Sequence, residues 1–393
     1  MNSLTELALT VPAEAFLSPS SIDASPGLAN LPDEPRTFVG RDDELLAISR
    51  GFAEGAMMQA LSGLGGVGKT TLAAQWTVQN ITQYHPVWWI DGSSAESITA
   101  GLAHLGGQLQ DLVAKLFTEA ALCERAKQWL ATHSGWLLVL DNVNNPDDVR
   151  FLKAIARNRG RVLITTRLAT GWHDVATAVP VRVLTQAAAV DLFTQIYTES
   201  GQRETGGIVE LCAELGYLAL AIQQAAAYCV LENGMTAPQY LAKMAEVPDV
   251  MHQAPYEGLL MERTMAGVWE PSLDRLADTP FAGDLLRILA WFPSAEYGFP
   301  NTRIPRKAVD TLVEPPQLVR ALGRLAAHSL IGLDQKYIHV HRVVQAVVRT
   351  PRESSVHRSQ EQVDAARTRA ELLFQGFSPN GSRAVLRARG EAR

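Results

Sequence analysis

Short apolar runs alternate with helical stretches between residues 38 and 184 of the chain. The runs have the length and composition of buried strands. Strands that alternate with helices predict a mostly parallel sheet with helices on both faces, and therefore an α/β fold. The predicted strands cover residues 57–62, 87–90, 136–140, 161–165 and 179–184. The predicted helices between them cover residues 69–80, 97–116 and 122–132.

Beyond residue 184 the strand pattern gives way to helical periodicity. Helices are predicted over residues 187–198, 208–215, 219–231, 281–291 and 317–327. A short pair of strands, at residues 330–333 and 337–340, follows the last of these helices. Helices followed by a small hairpin indicate a helical domain and then a winged-helix domain.

Composition narrows the class of protein. Of 393 residues, 47% are hydrophobic and 19% are charged, which is typical of a globular chain. A net charge of -6 disfavours a general nucleic-acid binder. The three cysteines form no CxxC pair, and the sequence contains neither a signal-peptide pattern nor an apolar span of ~18 residues. We therefore expect a cytoplasmic protein without a membrane span.

A glycine-rich segment between the first predicted strand and helix carries the clearest chemistry. It matches GxxxxGK[ST] at every fixed position and reads Gly63-Leu64-Gly65-Gly66-Val67-Gly68-Lys69-Thr70. Glycines let several backbone N–H groups point at one phosphate, and the helix N-terminus adds a partial positive charge. We expect Lys69 to reach the β- and γ-phosphates of ATP, Thr70 to ligate Mg²⁺ and Thr71 to lie near the α-phosphate. The alternative, a glycine turn beside an unrelated lysine, is disfavoured by the strand–loop–helix context.

Two further predicted strands end in polar residues. Asp141 follows the apolar run at 136–140, which places a carboxylate at the carboxyl edge of the sheet, where it can hold Mg²⁺ through water. Arg167 follows the next strand and can sense a γ-phosphate. The alternative for Asp141 is an aspartate that ends a strand in a turn. Asn142 occupies the position where many hydrolases have a second acid, and it cannot accept a proton, so we expect at most a slow ATPase.

Taken as an ordered set, these motifs resemble NB-ARC proteins of the STAND class. These are signal-transducing P-loop ATPases related to plant disease-resistance proteins and to the apoptosome scaffold. The matching segments are residues 38–44 (the leading GRxxE), 63–71 (the phosphate loop), 137–142 (Walker B), 165–167 (the sensor arginine), 215–221 (GLPLA) and 340–342 (MHD). The resemblance implies a P-loop parallel sheet with the strand order 5-1-4-3-2.

The resemblance also implies binding roles for residues outside the phosphate loop. It implies that ADP or ATP is contacted by Phe38, Val39, Gly40, Arg41, Leu218, Ala219 and His341, the last at the ADP β-phosphate. Ala219 replaces a proline of the family pattern, and Arg342 replaces an aspartate. The alternatives for His341 are a packing or surface histidine and, together with His339, a metal pair that lacks an evident third ligand.

We expect five segments along the chain. They are a disordered leader at 1–35, a P-loop nucleotide-binding domain at 36–185, a helical domain at 186–257, a winged-helix domain at 258–350, and a helix with a flexible tail at 351–393. The chain ends near the position where the repeat sensor of the family begins, so sensing and effector parts are expected elsewhere, unless the form is truncated.

The resemblance implies a molecular switch. An ADP-bound closed form would convert to an ATP-bound form that associates with copies of itself, under control of an unknown protein sensor or effector. The first alternative is a winged-helix transcription regulator gated by the same ATPase, which the acidic net charge disfavours. The second is a conventional P-loop enzyme, which Asn142 disfavours.

Overall fold

The computed structural model divides the chain into two compact units, Met1–Leu184 and Thr185–Arg393. The structure describes residues 17–32, 37–199, 201, 203–231, 235–246, 273, 276–292, 301–328, 330–352 and 355–377. The predictions for residues 1–16 and 378–393, and the predicted domain boundary at residue 257, lie outside these described residues.

The first unit contains a five-stranded sheet with the order β2-β3-β4-β1-β5. Every neighbouring pair of strands is parallel. The predicted α/β class and strand order are therefore confirmed. The strands are β1 (Met58–Ser62), β2 (Val87–Asp91), β3 (Leu137–Val143), β4 (Arg161–Thr166) and β5 (Thr177–Pro180).

Helices cover this sheet, and its central strands are apolar for that reason. All five residues of β1 are buried, as are the first four of β3. A parallel strand that is covered on both faces needs apolar side chains on both, which explains the continuous hydrophobic runs in the sequence. The helices of this unit are α1 (Asp42–Ala53), α2 (Lys69–Asn80), α3 (Ala95–Leu109), α4 (Asp111–Ala114), α5 (Glu119–Thr132) and α6 (Leu152–Ala156).

Several predicted boundaries in the first unit are wrong. The helix predicted at 97–116 ends at Leu109 because Gln110 leaves helical geometry (φ -140°, ψ 57°) and its side chain accepts a hydrogen bond from Arg125 Nε at 2.6 Å. Strand β3 continues through Val143, which pairs with Thr166 beyond a bulge. The fifth strand covers Thr177–Pro180 rather than residues 179–184, since its extent is set by pairing with β1.

Residues 17–32 are ordered, so the prediction of a disordered leader is wrong for this stretch. Ile22 and Leu28 pack against the hydrophobic core of the first unit, and Trp129 Nε1 donates to the Ile22 carbonyl at 2.8 Å. Asn30 binds the backbone of β2 twice, because its Nδ2 donates to Trp89 O at 2.9 Å and its Oδ1 accepts from Trp89 N at 2.6 Å. Proline-rich composition suggested disorder, but the few apolar side chains in this stretch find a docking surface that composition does not reveal.

We expect Asn30→Ala to lower the free energy of unfolding by about 1–3 kcal/mol, because two part-buried hydrogen bonds to Trp89 are lost. Urea unfolding followed by tryptophan fluorescence measures the change. Asp23→Ala is the matched control, since Asp23 is exposed in the same stretch. Equal stability of both variants and the parent would show that this stretch is not bound as described.

The second unit begins with four helices. They are α7 (Gln186–Thr198), α8 (Ile208–Glu214), α9 (Ala219–Leu231) and α10 (Ala237–Glu246). Helix α7 contacts both α8 and α9, and Phe193 and Cys212 are fully buried among these helices. The helical region predicted after residue 185 is therefore present.

A three-stranded antiparallel sheet with the order β6-β8-β7 follows. The predicted pair of strands is confirmed as β7 (Ile331–Leu333) and β8 (Tyr337–His341), but β6 (Asn301–Pro305) was missed. Strand β6 lies at the sheet edge and ends in proline, and its buried residues are Thr302 and Ile304, so a single buried apolar side chain leaves too weak a hydrophobic signal to predict a strand. The accompanying helices are α11 (Ala282–Ala290), α12 (Pro315–Ala327), α13 (Arg342–Arg349) and α14 (Gln360–Phe377).

No helix within the described ranges combines the length and the apolar character required to cross a membrane.

Candidate functional site

The glycine-rich loop joins the carboxyl end of β1 to the first turn of α2. Gly66 (φ +80°) and Gly68 (φ +99°) have left-handed backbone conformations that favour glycine. At Gly63 a side chain would be blocked, since a Cβ there would lie 2.4 Å from the Val181 carbonyl oxygen. The loop therefore needs glycine at these three positions, and it leads directly into the N-terminus of a helix that begins at Lys69.

Lys69 lies across this loop. Its Nζ donates to the carbonyl oxygens of Gly63 at 2.8 Å and Leu64 at 2.9 Å, and the residue is only 9% exposed. Burial and, to a smaller extent, the nearby charge of Arg167 lower the pKa of Lys69 to about 7, and the charge of Asp141 opposes this shift. An anion bound at the loop would favour the charged ammonium and reverse this shift.

Thr70 and Asp141 meet at the carboxyl edge of the sheet. Thr70 Oγ1 donates to Asp141 Oδ1 at 2.8 Å, although 71 positions separate the two residues. The same carboxylate oxygen accepts from Thr165 Oγ1 at 2.5 Å. Two oxygen ligands thus lie side by side at the end of the glycine loop.

Thr165 holds this carboxylate in place, a role that the sequence analysis missed. Its hydroxyl donates to Asp141 and accepts from the backbone N–H of Asn142 at 2.8 Å, and the residue is 1% exposed. Asn142 is left-handed (φ +63°), a conformation that asparagine tolerates better than most residues. The bulge in β3 therefore fixes the direction of Asp141. The available signal was the pair of threonines that ends β4, where buried hydroxyls need partners.

Arg167 lies one residue beyond β4 and is half-buried. Its positive charge, after burial, contributes to the lowered pKa of Lys69. The predicted residues Lys69, Thr70, Asp141 and Arg167 are thus brought to one edge of the sheet. Thr71, also predicted here, is the third residue of α2 and is half-buried.

The predicted leading segment is attached to the glycine loop through Arg41. Arg41 is 4% exposed, and its guanidinium donates to the carbonyl oxygens of Val67 and Arg182, both at 2.7 Å. It also pairs with Glu44 at 2.8 Å. The residues that precede it are Phe38 and Val39, both half-buried, and Gly40, which is exposed with φ +60°. The buried Arg41 therefore attaches the segment that contains the apolar residues Phe38 and Val39 to the glycine loop.

The remaining predicted residues belong to the second unit. His341 Nδ1 accepts from Val343 N at 3.2 Å, so the neutral ring carries its proton on Nε2, which donates to Gly216 O at 2.9 Å. Gly216 has φ +62°, and a Cβ there would lie 2.6 Å from the His341 ring. Leu218 is buried, and Ala219 begins α9 at a position where proline is also tolerated. Two segments that the sequence analysis singled out separately, 215–221 and 340–342, are therefore in contact.

The donor set of the first unit suits a polyphosphate with Mg²⁺. Backbone N–H groups at a helix N-terminus together with a lysine bind phosphate oxygens. Mg²⁺ prefers oxygen ligands and takes few of them from protein when phosphates supply others, which matches Thr70 and Asp141. Within the described residues no group of three His, Cys, Asp or Glu side chains could hold a metal alone, and His339 instead bonds Asp334 at 2.7 Å.

Comparisons with known proteins agree with this geometry. The NB-ARC domain model matches residues 46–202. A nucleotide-binding leucine-rich repeat (NLR)-like protein of Hyaloscypha variabilis is 26% identical over 351 residues, which is 79% of this chain and 34% of that protein. Regulatory protein AfsR of Streptomyces griseus is 29% identical over 231 residues, or 56% of this chain and 23% of AfsR. The chain thus spans about a third of the length of one of these curated relatives and about a quarter of the other.

Among solved structures, the Walker-type ATPase PABY2304 of Pyrococcus abyssi has a similar fold. The TM-score is 0.56, the sequence identity is 15%, and the match covers 81% of this chain and 98% of that one. At this level of identity the similarity concerns the fold.

Proposed function

We propose that the chain, whose residues 46–202 match the NB-ARC domain model, is a STAND-class protein that binds nucleotide and acts as a switch between an ADP-bound closed form and an ATP-bound form that self-associates. The observation that carries the proposal is the convergence of Lys69, Thr70 and Asp141 at the glycine loop. The extra phosphate of ATP then has to shift the equilibrium between the closed form and the self-associating form. Changing the ratio of these two forms from 1:99 to 99:1 requires about 5.5 kcal/mol of differential binding free energy.

The residues of the first unit have distinct roles in this proposal. The loop at 63–68 and Lys69 bind the β-phosphate, Thr71 lies near the α-phosphate, and Arg167 contacts the γ-phosphate of ATP alone. Thr70 holds Mg²⁺ directly and Asp141 holds it through water, with Thr165 orienting the carboxylate. Bound Mg²⁺ neutralises phosphate charge. The segment at 38–41 contacts the adenine, with Arg41 holding it to the loop.

Hydrolysis is slow in this proposal. Asn142 carries an amide where a general base would stand, and an amide does not take a proton from water near neutral pH. Its left-handed backbone and its hydrogen bond to Thr165 serve to position Asp141. The ATP-bound form is therefore long-lived, as a switch requires.

Native mass spectrometry of the freshly purified chain tests the switch. We expect bound ADP and a monomer, and a larger assembly after exchange into MgATP. A preparation that binds ATP without any change in its assembly state would refute the proposed switch, although the chain would still be a nucleotide-binding protein.

His341 is proposed to contact the β-phosphate of ADP, an assignment supported by its position in the 340–342 segment. We expect His341→Ala to speed ADP release more than it weakens ATP binding, measured by stopped-flow with a fluorescent analogue of each nucleotide. His339→Ala is the control, since this ring bonds Asp334 instead. Equal losses for ADP and ATP would count against the ADP-specific role and leave His341 as a packing residue bonded to Gly216.

We also place the protein in a reducing compartment such as the cytoplasm. Its three cysteines are free and buried, and burial raises the pKa of Cys212 and Cys229 to about 12. Protein partners of the switch, whether sensor or effector, act on the ATP-bound form in this proposal. Nucleic acid is a less suitable partner, since Arg324 of the winged-helix region is paired with Asp278 and Arg303 stacks on Tyr337.

A further inference from the structure

A pocket of about 880 Å³ opens on the first unit at the edge opposite the glycine loop. It lies at the amino ends of β1 and β4, where Met57 precedes one strand and Arg161 begins the other. The glycine loop follows the carboxyl end of β1, so the two sites occupy opposite ends of the same strand. The volume falls within the range of about 300–1,000 Å³ that is usual for small-molecule sites.

One wall of this pocket is aromatic. The ring centroid of Trp76 lies 5.2 Å from that of Phe52 and 6.1 Å from that of Tyr84. Trp76 and Phe52 are buried, and Tyr84 is half-buried. The Tyr84 ring is therefore supported by the buried Trp76, and an aromatic surface of this kind packs well against a flat ligand.

The other wall is basic. Arg157, Arg159 and Arg161 line the pocket, and no acidic residue is among the lining residues. Arg159 donates to the Thr132 carbonyl at 2.9 Å and Arg161 to the Gly160 carbonyl at 3.1 Å. Across the described part of the chain none of the three forms an ion pair with a carboxylate. Three positive charges thus face one cavity with only neutral partners.

The backbone that carries these arginines is fixed. Asn158 is left-handed (φ +58°), and the carbonyl of Arg159 accepts from Gly135 N at 2.7 Å. A Cβ at Gly160 would lie 2.1 Å from the Trp136 ring, so only glycine lets the chain pass this buried side chain. A loop that is held this firmly presents its arginines with little ordering cost when a ligand binds.

We propose that this pocket binds a small organic anion that joins a phosphate group to an aromatic ring. The guanidiniums bind the phosphate through charge-assisted hydrogen bonds, and the ring lies against Tyr84. Tyr84 and the three arginines line the same pocket, so one ligand can contact both walls. The site is separate from the glycine loop, and its occupant binds whether or not the switch mechanism holds.

The test uses 1-naphthyl phosphate and the full chain with its glycine loop saturated by MgADP. We expect saturable binding in calorimetry, and no binding of 1-naphthol, which lacks the anion. The double variant Arg157→Gln/Arg159→Gln lowers the affinity by about tenfold or more, because charge-assisted bonds to the phosphate are lost. Both arginines are exposed, so the variant keeps its fold, which thermal unfolding checks.

Arg150→Gln/Lys153→Gln is the matched control, since it removes two positive charges from the same segment outside the pocket. It leaves the affinity within about twofold. Tyr84→Leu weakens 1-naphthyl phosphate more than inorganic phosphate. Equal losses in both double variants, or the absence of saturable binding, would each overturn the proposal.

Discussion

Lys69→Ala is expected to abolish measurable binding of ADP and ATP, with a loss in affinity of more than about a hundredfold, or about 2.8 kcal/mol. The buried ammonium spans the loop through hydrogen bonds to the carbonyl oxygens of Gly63 and Leu64, and a phosphate bound at the loop would be its charged partner. No other lysine lies in the loop or at its edges. Isothermal titration calorimetry with each nucleotide measures the effect.

The variant is expected to fold, because it removes an ammonium whose burial is unfavourable. Burial lowers the pKa of Lys69 to about 7, which means that the folded protein without ligand disfavours the charge. Lys153→Ala is the control, since the Lys153 ammonium also donates to a carbonyl, that of Asp174 at 2.7 Å, but lies at an exposed position. An unchanged ADP affinity in Lys69→Ala, with Lys153→Ala also unchanged, would refute the assignment of the loop.

The pH dependence of the parent protein gives a second readout of Lys69. A bound phosphate stabilises the ammonium and raises its pKa above 7, so ADP binding takes up a proton at any pH between the free and bound values. Affinity for ADP should therefore fall by up to about tenfold per pH unit above pH 7. Calorimetry with ADP and the parent protein across this pH range measures the change.

The sequence predicted the first unit well because its signals are local and strong. Apolar runs such as 136–140 are long enough to be read as strands covered on both faces, and the glycine loop fixes the position of β1 and α2 between them. Strand ends then predict which polar residues meet, as Asp141 and Thr70 do at 2.8 Å. A carboxylate and a hydroxyl 71 positions apart could thus be placed together without coordinates.

Features that depend on tertiary contacts were not predictable in this way. The order of residues 17–32 depends on the binding of Asn30 to β2, which no local pattern encodes. Strand β6 exists because β8 offers it a partner, and its own sequence ends in Pro305. Thr165 looked like part of a motif, but its role depends on a bulge that brings the N–H of Asn142 within 2.8 Å of its hydroxyl.

Asp141→Asn is expected to lower the affinity for ATP about 10- to 100-fold when Mg²⁺ is present, the usual cost of removing a group that holds a metal through its outer shell. The affinity for ATP without Mg²⁺ should stay equal or rise, because a negative charge next to the phosphates is lost. The amide oxygen still accepts from Thr70 and Thr165, so the local structure is retained. Calorimetry with ATP in Mg²⁺ and in chelator separates the two effects.

Asp91→Asn is the matched control for this variant. Asp91 lies opposite Asp141 in the register of β2 and β3, ends its strand in the same way, and bonds Ser93 instead of the glycine loop. Its charge therefore sits at the same edge of the sheet without a link to Thr70. A loss of Mg²⁺-dependent affinity for ATP in both variants would show that the effect arises from negative charge anywhere at this edge of the sheet. A loss confined to Asp141→Asn would assign the effect to the direct contact between this carboxylate and the first turn of α2. Asp141 also opposes the lowering of the Lys69 pKa. In Asp141→Asn the affinity for ADP should therefore begin to fall at a lower pH than in the parent protein.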